Sequence, residues 1–254
     1  MEPYKTVPVL KIKEKLSSVT DDLIAVEKKL RISVNGKNVI SLYCTPLMVR
    51  ELVTGIIHDE GIISGEWCAD RMAIEYDDEI RVDVPSSGNL HEGEKTITSG
   101  CAGGVSFGRE AAGIVTDNVS FAAETIKTMF REFQQKSDAY RLTGGVHSAA
   151  LTDGNKILVF AEDIGRHNAV DKVIGYCLLE NLPFKGMIML ASGRLSSEIV
   201  SKCARCAIPV LVSRSAPTSL AIKIGESSGI TVIGFVRGDR MNVYTGRQRI
   251  LLSH

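Results

Sequence analysis

The sequence predicts an α/β protein in two parts: a small N-terminal α+β unit, and a larger three-layer domain whose sheet is covered by helices on both faces. Three observations predict it. The second half alternates short, continuous apolar runs with amphipathic stretches, the pattern of buried, mostly parallel strands joined by helices. The first half carries strands closed by tight turns around a single helix. A chain of 254 residues, 44% hydrophobic and 24% charged, can bury a full core as one large domain or two modest ones.

In the first part, Lys29–Val34 and Val39–Cys44 flank Asn35-Gly36-Lys37-Asn38, and Asn-Gly between alternating apolar residues signals a hairpin. Thr45 reads as an N-cap and Pro46 as the first turn of a helix with apolar spacing to Ile57. Arg71–Tyr76 and Ile80–Val84 repeat the strand pattern around Asp77-Asp78-Glu79. Pro85–Gly93 is a loop. The small unit is read as residues 1–118, ending after the cysteine loop described below, and the α/β domain as 119–254.

In the second part an amphipathic helix begins at Ser120 and runs to about Gln135. Strand Lys156–Ala161, helix Asn168–Glu180, strand Met187–Ala191, helix Ser196–Ala207, strand Pro209–Val212, helix Thr218–Glu226 and strand Thr231–Val236 follow, with a short edge strand at Met241–Tyr244. In such sheets ligands collect where strands end and helices begin. Each of the four main strand ends here carries arginine: Arg166, Arg194, Arg214, and Arg237 with Arg240. Serine clusters beside two helix starts add hydroxyl and backbone donors, so the four ends together predict an anion pocket. Net charge is zero overall, which argues against a nucleic-acid partner. Yet residues 1–98 hold 12 basic and 17 acidic side chains while 99–254 hold 18 and 13. Both a small anionic ligand in the second half and ordinary solvated surface explain that asymmetry.

The six cysteines are scattered, at 44, 68, 101, 177, 203 and 206. The N-terminus, Met-Glu-Pro-Tyr-Lys, shows no basic segment followed by an apolar one, and no apolar run reaches membrane-span length. The expectation is a cytoplasmic protein with free thiols and no disulfide framework. Cys101 stands apart, in Thr98-Ser99-Gly100-Cys101-Ala102-Gly103-Gly104. Three glycines disfavour helix and strand, and a sulfur set among small residues is open to a reaction partner. A glycine-rich turn that happens to hold a small apolar residue is the other reading.

Cys203-Ala-Arg-Cys206 lies well inside a predicted helix, which favours core packing over the redox pairs found at helix starts. A zinc deaminase would need H-x-E followed by P-C-x-x-C. Here His147-Ser148-Ala149 lacks the glutamate and Lys202-Cys203 lacks the proline, so no metal site is expected. His167 or Asp163 is a candidate for proton movement; in the other reading Asp163 and Asn168 cap the helix while His167 hydrogen-bonds a neighbouring loop. Asp138 and His147 are weaker candidates, the latter placed on a loop by Gly144-Gly145.

Ala161-Glu-Asp-Ile-Gly-Arg-His-Asn-Ala-Val-Asp-Lys172, Ala191-Ser-Gly-Arg-Leu-Ser-Ser-Glu-Ile-Val200, Ser215-Ala-Pro-Thr218 and Gly234-Phe-Val-Arg237 resemble the formate dehydrogenase accessory protein family, FdhD. The resemblance extends from the Asn-Gly hairpin to Tyr244. It implies a cytidine-deaminase-like α/β domain with a smaller N-terminal domain, commonly a homodimer. It also implies a sulfurtransferase that takes persulfide sulfur from a cysteine desulfurase. The sulfur is delivered to the molybdenum bis(molybdopterin guanine dinucleotide) cofactor destined for formate dehydrogenase, and GDP mimics a fragment of that cofactor. The family's sulfur-carrying loop, of the form C-G-x-C-G, falls on Cys101-Ala102-Gly103-Gly104, with glycine in place of the second cysteine. The family's cofactor-binding segment falls on Phe235, Val236, Arg237, Gly238, Asp239 and Arg240, with Arg194 and Arg214 as further phosphate contacts from the neighbouring strand ends.

Overall fold

A computed structural model describes residues 2–14, 16–91 and 113–252, together with the backbone of the strand pair 95–97 and 105–107. The chain opens with an unanticipated hairpin, β1 (Tyr4–Lys13) and β2 (Leu16–Ala25). The small unit then contains β3 (Lys28–Val34), β4 (Lys37–Cys44), α1 (Val49–Glu60), β5 (Ile63–Ser64), β6 (Ala73–Tyr76), β7 (Ile80–Val84) and β8 (Asn89–Leu90). Next come β9 (Lys95–Ile97) and β10 (Val105–Phe107), which pair antiparallel. The α/β unit comprises β11 (Phe121–Ala122), α2 (Ala123–Gln135), α3 (Asp138–Thr143), β12 (His147–Thr152), β13 (Ile157–Asp163), α4 (Arg166–Leu179) and β14 (Ile188–Ala191), then α5 (Ser197–Arg205), β15 (Val210–Ser213), α6 (Ser219–Ser227), β16 (Thr231–Arg237), β17 (Arg240–Val243) and β18 (Ile250–Leu251). No helix among the described residues is long and apolar enough to cross a membrane.

The small sheet has the order β4-β3-β7-β6, its first hairpin closed at Asn35-Gly36 as the sequence predicts. Leu30, Ile32, Ile80 and Val82 point into a core shared with Leu52, Val53, Ile56 and Ile57 of α1. The helix starts later than expected, at Val49 rather than near Thr45. Thr45 is drawn instead into the other unit: its N–H donates to Asp163 Oδ2 at 3.0 Å and its Oγ1 accepts from the Ile164 N–H at 3.2 Å. A tertiary partner has replaced the local cap.

The large sheet has the order β13-β12-β14-β15-β16-β17. It is mixed, not mostly parallel. The parallel pairs are β14–β15 and β15–β16, because β12 runs antiparallel between β13 and β14. The sequence predicts a loop at His147, but His147 opens β12. Nonetheless β13, β14, β15 and β16 all point the same way, so their carboxyl ends share one edge. Alternating side chains build two cores. Met189, Leu211 and Val232 face α4, α5 and α6, while Ile188, Leu190, Val210, Val212 and Ile233 face α2. The three expected layers are therefore present.

The two units meet where α1 crosses α4. At Gly55 a Cβ would lie 2.1 Å from the Asp171 carbonyl oxygen, and at Gly175 one would lie 1.8 Å from the Glu51 carbonyl oxygen. Only glycine permits so close a crossing. Segment 113–118 runs back along the α/β unit: the buried Arg249 donates to the carbonyls of Val115, Asp117 and Gly229.

Candidate functional site: a cleft at the carboxyl edge of the sheet

The loops leaving β14, β15 and β16 are zipped side by side. The Leu195 N–H donates to Ala216 O at 3.1 Å, the Thr218 N–H to Leu195 O at 3.0 Å, and the Phe235 N–H to Ser215 O at 3.2 Å. Gly234 makes the last contact possible, since a Cβ there would sit 2.8 Å from the Ser215 carbonyl oxygen. Inside these loops Ser213 Oγ donates to Gly193 O at 2.6 Å and accepts from the Ser215 N–H at 3.0 Å. Backbone polar groups that a loop would leave to water are thus used to hold the edge rigid.

Beside this edge opens a cleft of about 560 Å³, in the range of small-molecule sites. Its polar lining includes Ser137, Arg141, His147, Ser192, Arg214 and Ser215, with Phe133 and Tyr140 as apolar walls. Ser192 Oγ accepts from the Ser148 N–H at 2.9 Å and lies 3.2 Å from His147 Nδ1. Burial, then the nearby Arg166 and His167 charges, push the His147 imidazole below its ordinary range, so it is neutral at pH 7. Ser137 Oγ donates to Glu162 Oε1 and lies 2.9 Å from Ser148 Oγ. Glu162 is thereby held by α3, a helix with no expectation in the sequence.

Of the predicted anion-binding residues, Arg214 lines the cleft. Arg194, Arg237 and Arg240 are exposed on the same edge but outside the lining. Arg237 lies over the ring of Phe235, its guanidinium carbon 5.8 Å from the centroid. Phe235 has φ 54°, in the left-handed region, at the irregularity that interrupts the pairing of β16 with β17. The Val236 side chain is 2% exposed in the core beneath α2, so the exposed side chains of the segment are those of Arg237, Asp239 and Arg240. Gly238 and Asp239 form the exposed turn, whose Asp239 carbonyl accepts from Lys127.

Asp163 stands in an ion pair with Lys172, outside the cleft lining. It is wholly buried, with Lys172 Nζ at 2.7 Å, Asn168 Nδ2 at 2.8 Å and the Gly165 and Thr45 N–H groups at 2.9 and 3.0 Å. His167 Nε2 lies 2.7 Å from Glu198 Oε2 and 3.1 Å from Ser196 Oγ, a fixed orientation outside the cleft. Asp138 pairs with Arg141 at the surface. Cys101 lies outside the described residues; in the sequence it falls between β9 and β10, where Ile97 pairs with Val105.

Four of the other thiols are buried, which disfavours the thiolate a sulfur acceptor needs: burial pushes Cys44 and Cys177 up to about 12 and holds Cys203 and Cys206 well above the ordinary thiol range. Cys203 and Cys206 belong to the core, as the helix-interior spacing predicts. Cys68 alone among the described cysteines is partly exposed. Among the described residues the cleft is lined by guanidinium, neutral imidazole and hydroxyl groups, a chemistry suited to an anion.

The chain is thus an α/β protein with a polar cleft at the carboxyl edge of its main sheet. The sequence profile of the FdhD/NarQ family matches residues 25–251, and the chain belongs to that family. It is 37% identical over 239 residues, 91% of each chain, to the sulfur carrier protein FdhD of Bacillus pumilus. To the protein of that name from Sulfurisphaera tokodaii it is 35% identical over 255 residues, 97% of this chain and 99% of the relative. A crystal structure from Desulfotalea psychrophila, provisionally assigned as a formate dehydrogenase accessory protein, superimposes with TM-score 0.78 at 27% identity. The match covers 98% of this chain and 100% of that one.

Proposed function

We propose that this protein carries sulfur in the maturation of formate dehydrogenase. In that reading the Cys101 thiolate attacks the sulfane sulfur of a cysteine desulfurase persulfide, and the donor cysteine leaves as thiolate. The S–S bond of the Cys101 persulfide then breaks: the outer sulfur goes to the molybdenum of a bis(molybdopterin guanine dinucleotide) substrate, the reduced metal supplies the two electrons that make it sulfide, and Cys101 leaves as thiolate. The strand-end cleft holds the nucleotide ends of that substrate, with Arg214 deepest and Arg194, Arg237 and Arg240 around the rim. The observation that carries the reading is a polar, arginine-lined cleft at the strand ends, in a chain related over nine-tenths of its length to sulfur carriers. The same reading includes a cytidine-deaminase-like ancestry, division at 118/119, a homodimer and a cytoplasmic setting.

Glycine in place of a second loop cysteine favours one alternative, a cofactor-binding chaperone that does no sulfur chemistry. Mass spectrometry after incubation with a cysteine desulfurase and cysteine separates the two. Sulfur transfer adds one reductant-labile sulfur, about 32 Da, on the Cys101 peptide, and Cys101→Ser abolishes it. Unlabelled parent protein that still binds GDP establishes the chaperone.

A further inference from the structure

A second cluster of reactive side chains lies away from the cleft, at the opposite ends of the helices. α5 starts at the cleft edge, beside Ser196, and ends nine residues later at Arg205, with Cys206 as its C-cap. At about 1.5 Å per residue its far end is roughly 13 Å from the cleft edge. There it meets the last turn of α1. His58, Asp59 and Cys206 each direct one ligand atom to a common point, all within 4.8 Å of one another. Asp59 and Cys206 are buried and His58 is half-buried.

We propose that His58, Asp59 and Cys206 bind a single thiophilic divalent cation, zinc by preference, which pins the end of α1 to the end of α5. Imidazole, carboxylate and thiolate are the zinc donor set, and ligand atoms around tetrahedral zinc stand about 3.5 Å apart. The Cys206 Sγ to Asp59 Oδ1 separation is already 3.9 Å, so small rotations close the shell and water supplies the fourth ligand.

Two independent features point to a cation. The carboxyl ends of both α1 and α5 converge on the cluster, and each presents the negative end of its dipole. The surrounding carboxylates also outnumber the cations: Asp59, Glu60 and Asp171 surround Lys202, with Arg205 Nε at 3.9 Å from Asp59 Oδ1. Asp59, though wholly buried, accepts no hydrogen bond at Oδ2, which faces Lys202 Nζ at 3.3 Å. Its Oδ1 faces both the Cys206 thiol and Arg205 Nε, each at 3.9 Å. Binding exchanges the thiol proton for the metal: Cys206–SH and M²⁺ give the Cys206 thiolate complex and one H⁺ released to solvent. The ion reverses the effect of burial that otherwise holds this thiol protonated.

The test is a titration of the reduced full chain, in a Cys101→Ser background, with Zn²⁺ and with Co²⁺. One ion per chain, a thiolate-to-cobalt charge-transfer band and a zinc-dependent rise in Tm are expected. Cys206→Ser and His58→Gln each weaken binding more than about tenfold, whereas Cys203→Ser and Cys68→Ser leave it intact. His58→Gln, at a half-buried position, covers the case in which Cys206→Ser fails to fold. No bound ion, binding that survives both ligand substitutions, or binding removed by Cys203→Ser overturns the proposal.

Discussion

Two charged regions of this molecule differ in who satisfies the charge. At the carboxyl edge of the sheet, Arg194, Arg214, Arg237 and Arg240 are exposed. In the seam between the units, Lys172 and Lys202 are 0% and 3% exposed. The chain itself supplies their counter-charges: Asp163 at 2.7 Å from Lys172, and Asp171, Glu60 and Asp59 at 2.6, 3.2 and 3.3 Å from Lys202. Burial by itself would push the Lys202 ammonium down, but the three carboxylates outweigh it and hold the charge. Burial conversely pushes the Asp171 carboxyl well above its usual range, against the pull of Lys202. An ion taken from water must find its partner in the fold, so the seam is structural. Exposed guanidinium groups keep their hydration and contribute little to stability, and would gain only if an anion bound them.

The largest effect that tests this contrast is Lys202→Met. It strands three carboxylates in the seam and should cost about 3–5 kcal/mol in denaturant unfolding. A loss below about 1 kcal/mol, the worth of a surface pair, breaks the comparison.

Next come the edge arginines, which should leave stability unmoved and affect binding instead. Arg214→Ala is expected to weaken GDP binding by roughly 1.5–3 kcal/mol, the worth of a charge-assisted hydrogen bond. Arg237→Ala, outside the cleft lining, should cost less, and affinity should fall with salt. Arg50→Ala on α1, whose guanidinium holds the Ala69 carbonyl, serves as the control. Calorimetry giving equal losses at all three positions would reduce the edge to ordinary surface charge.

The smallest expected effect is a pH dependence from His147. Its folded pKa lies below the ordinary value of about 6.5, so on acidification the unfolded chain takes up the proton first. The stability contributed by the neutral imidazole is complete above that ordinary value and is lost as pH falls through the lowered one. His147→Gln should flatten the unfolding free energy across that window relative to the parent chain. An unchanged slope assigns the dependence to another group.

Helices α2, α4, α5 and α6 and the main strands of the α/β unit were legible because of their apolar periodicity. β14, β15 and β16 fall within a residue of expectation at every boundary. Elements without such periodicity were not. The β1–β2 hairpin leaves Leu10, Ile12, Leu16 and Val19 exposed, so no side of it carries a burial period to read. β12 is built on Ser148-Ala149-Ala150 after two glycines, small residues that carry no strand propensity of their own. Its burial between β13 and β14 is decided by the sheet.

The sequence by itself determined that arginines end the strands and that four strand ends carry them, because chemistry and local periodicity are both written in one dimension. Which arginine enters the cleft was decided by tertiary structure, through the direction of β12 and the placement of α3, neither of which has a local signal. The same holds for Asp163 and Thr45, which read locally as a proton carrier and a helix cap. Each has its partner on the other unit, 118 residues away in the chain, and only packing brings a carboxylate and an amide so separated into a single hydrogen bond.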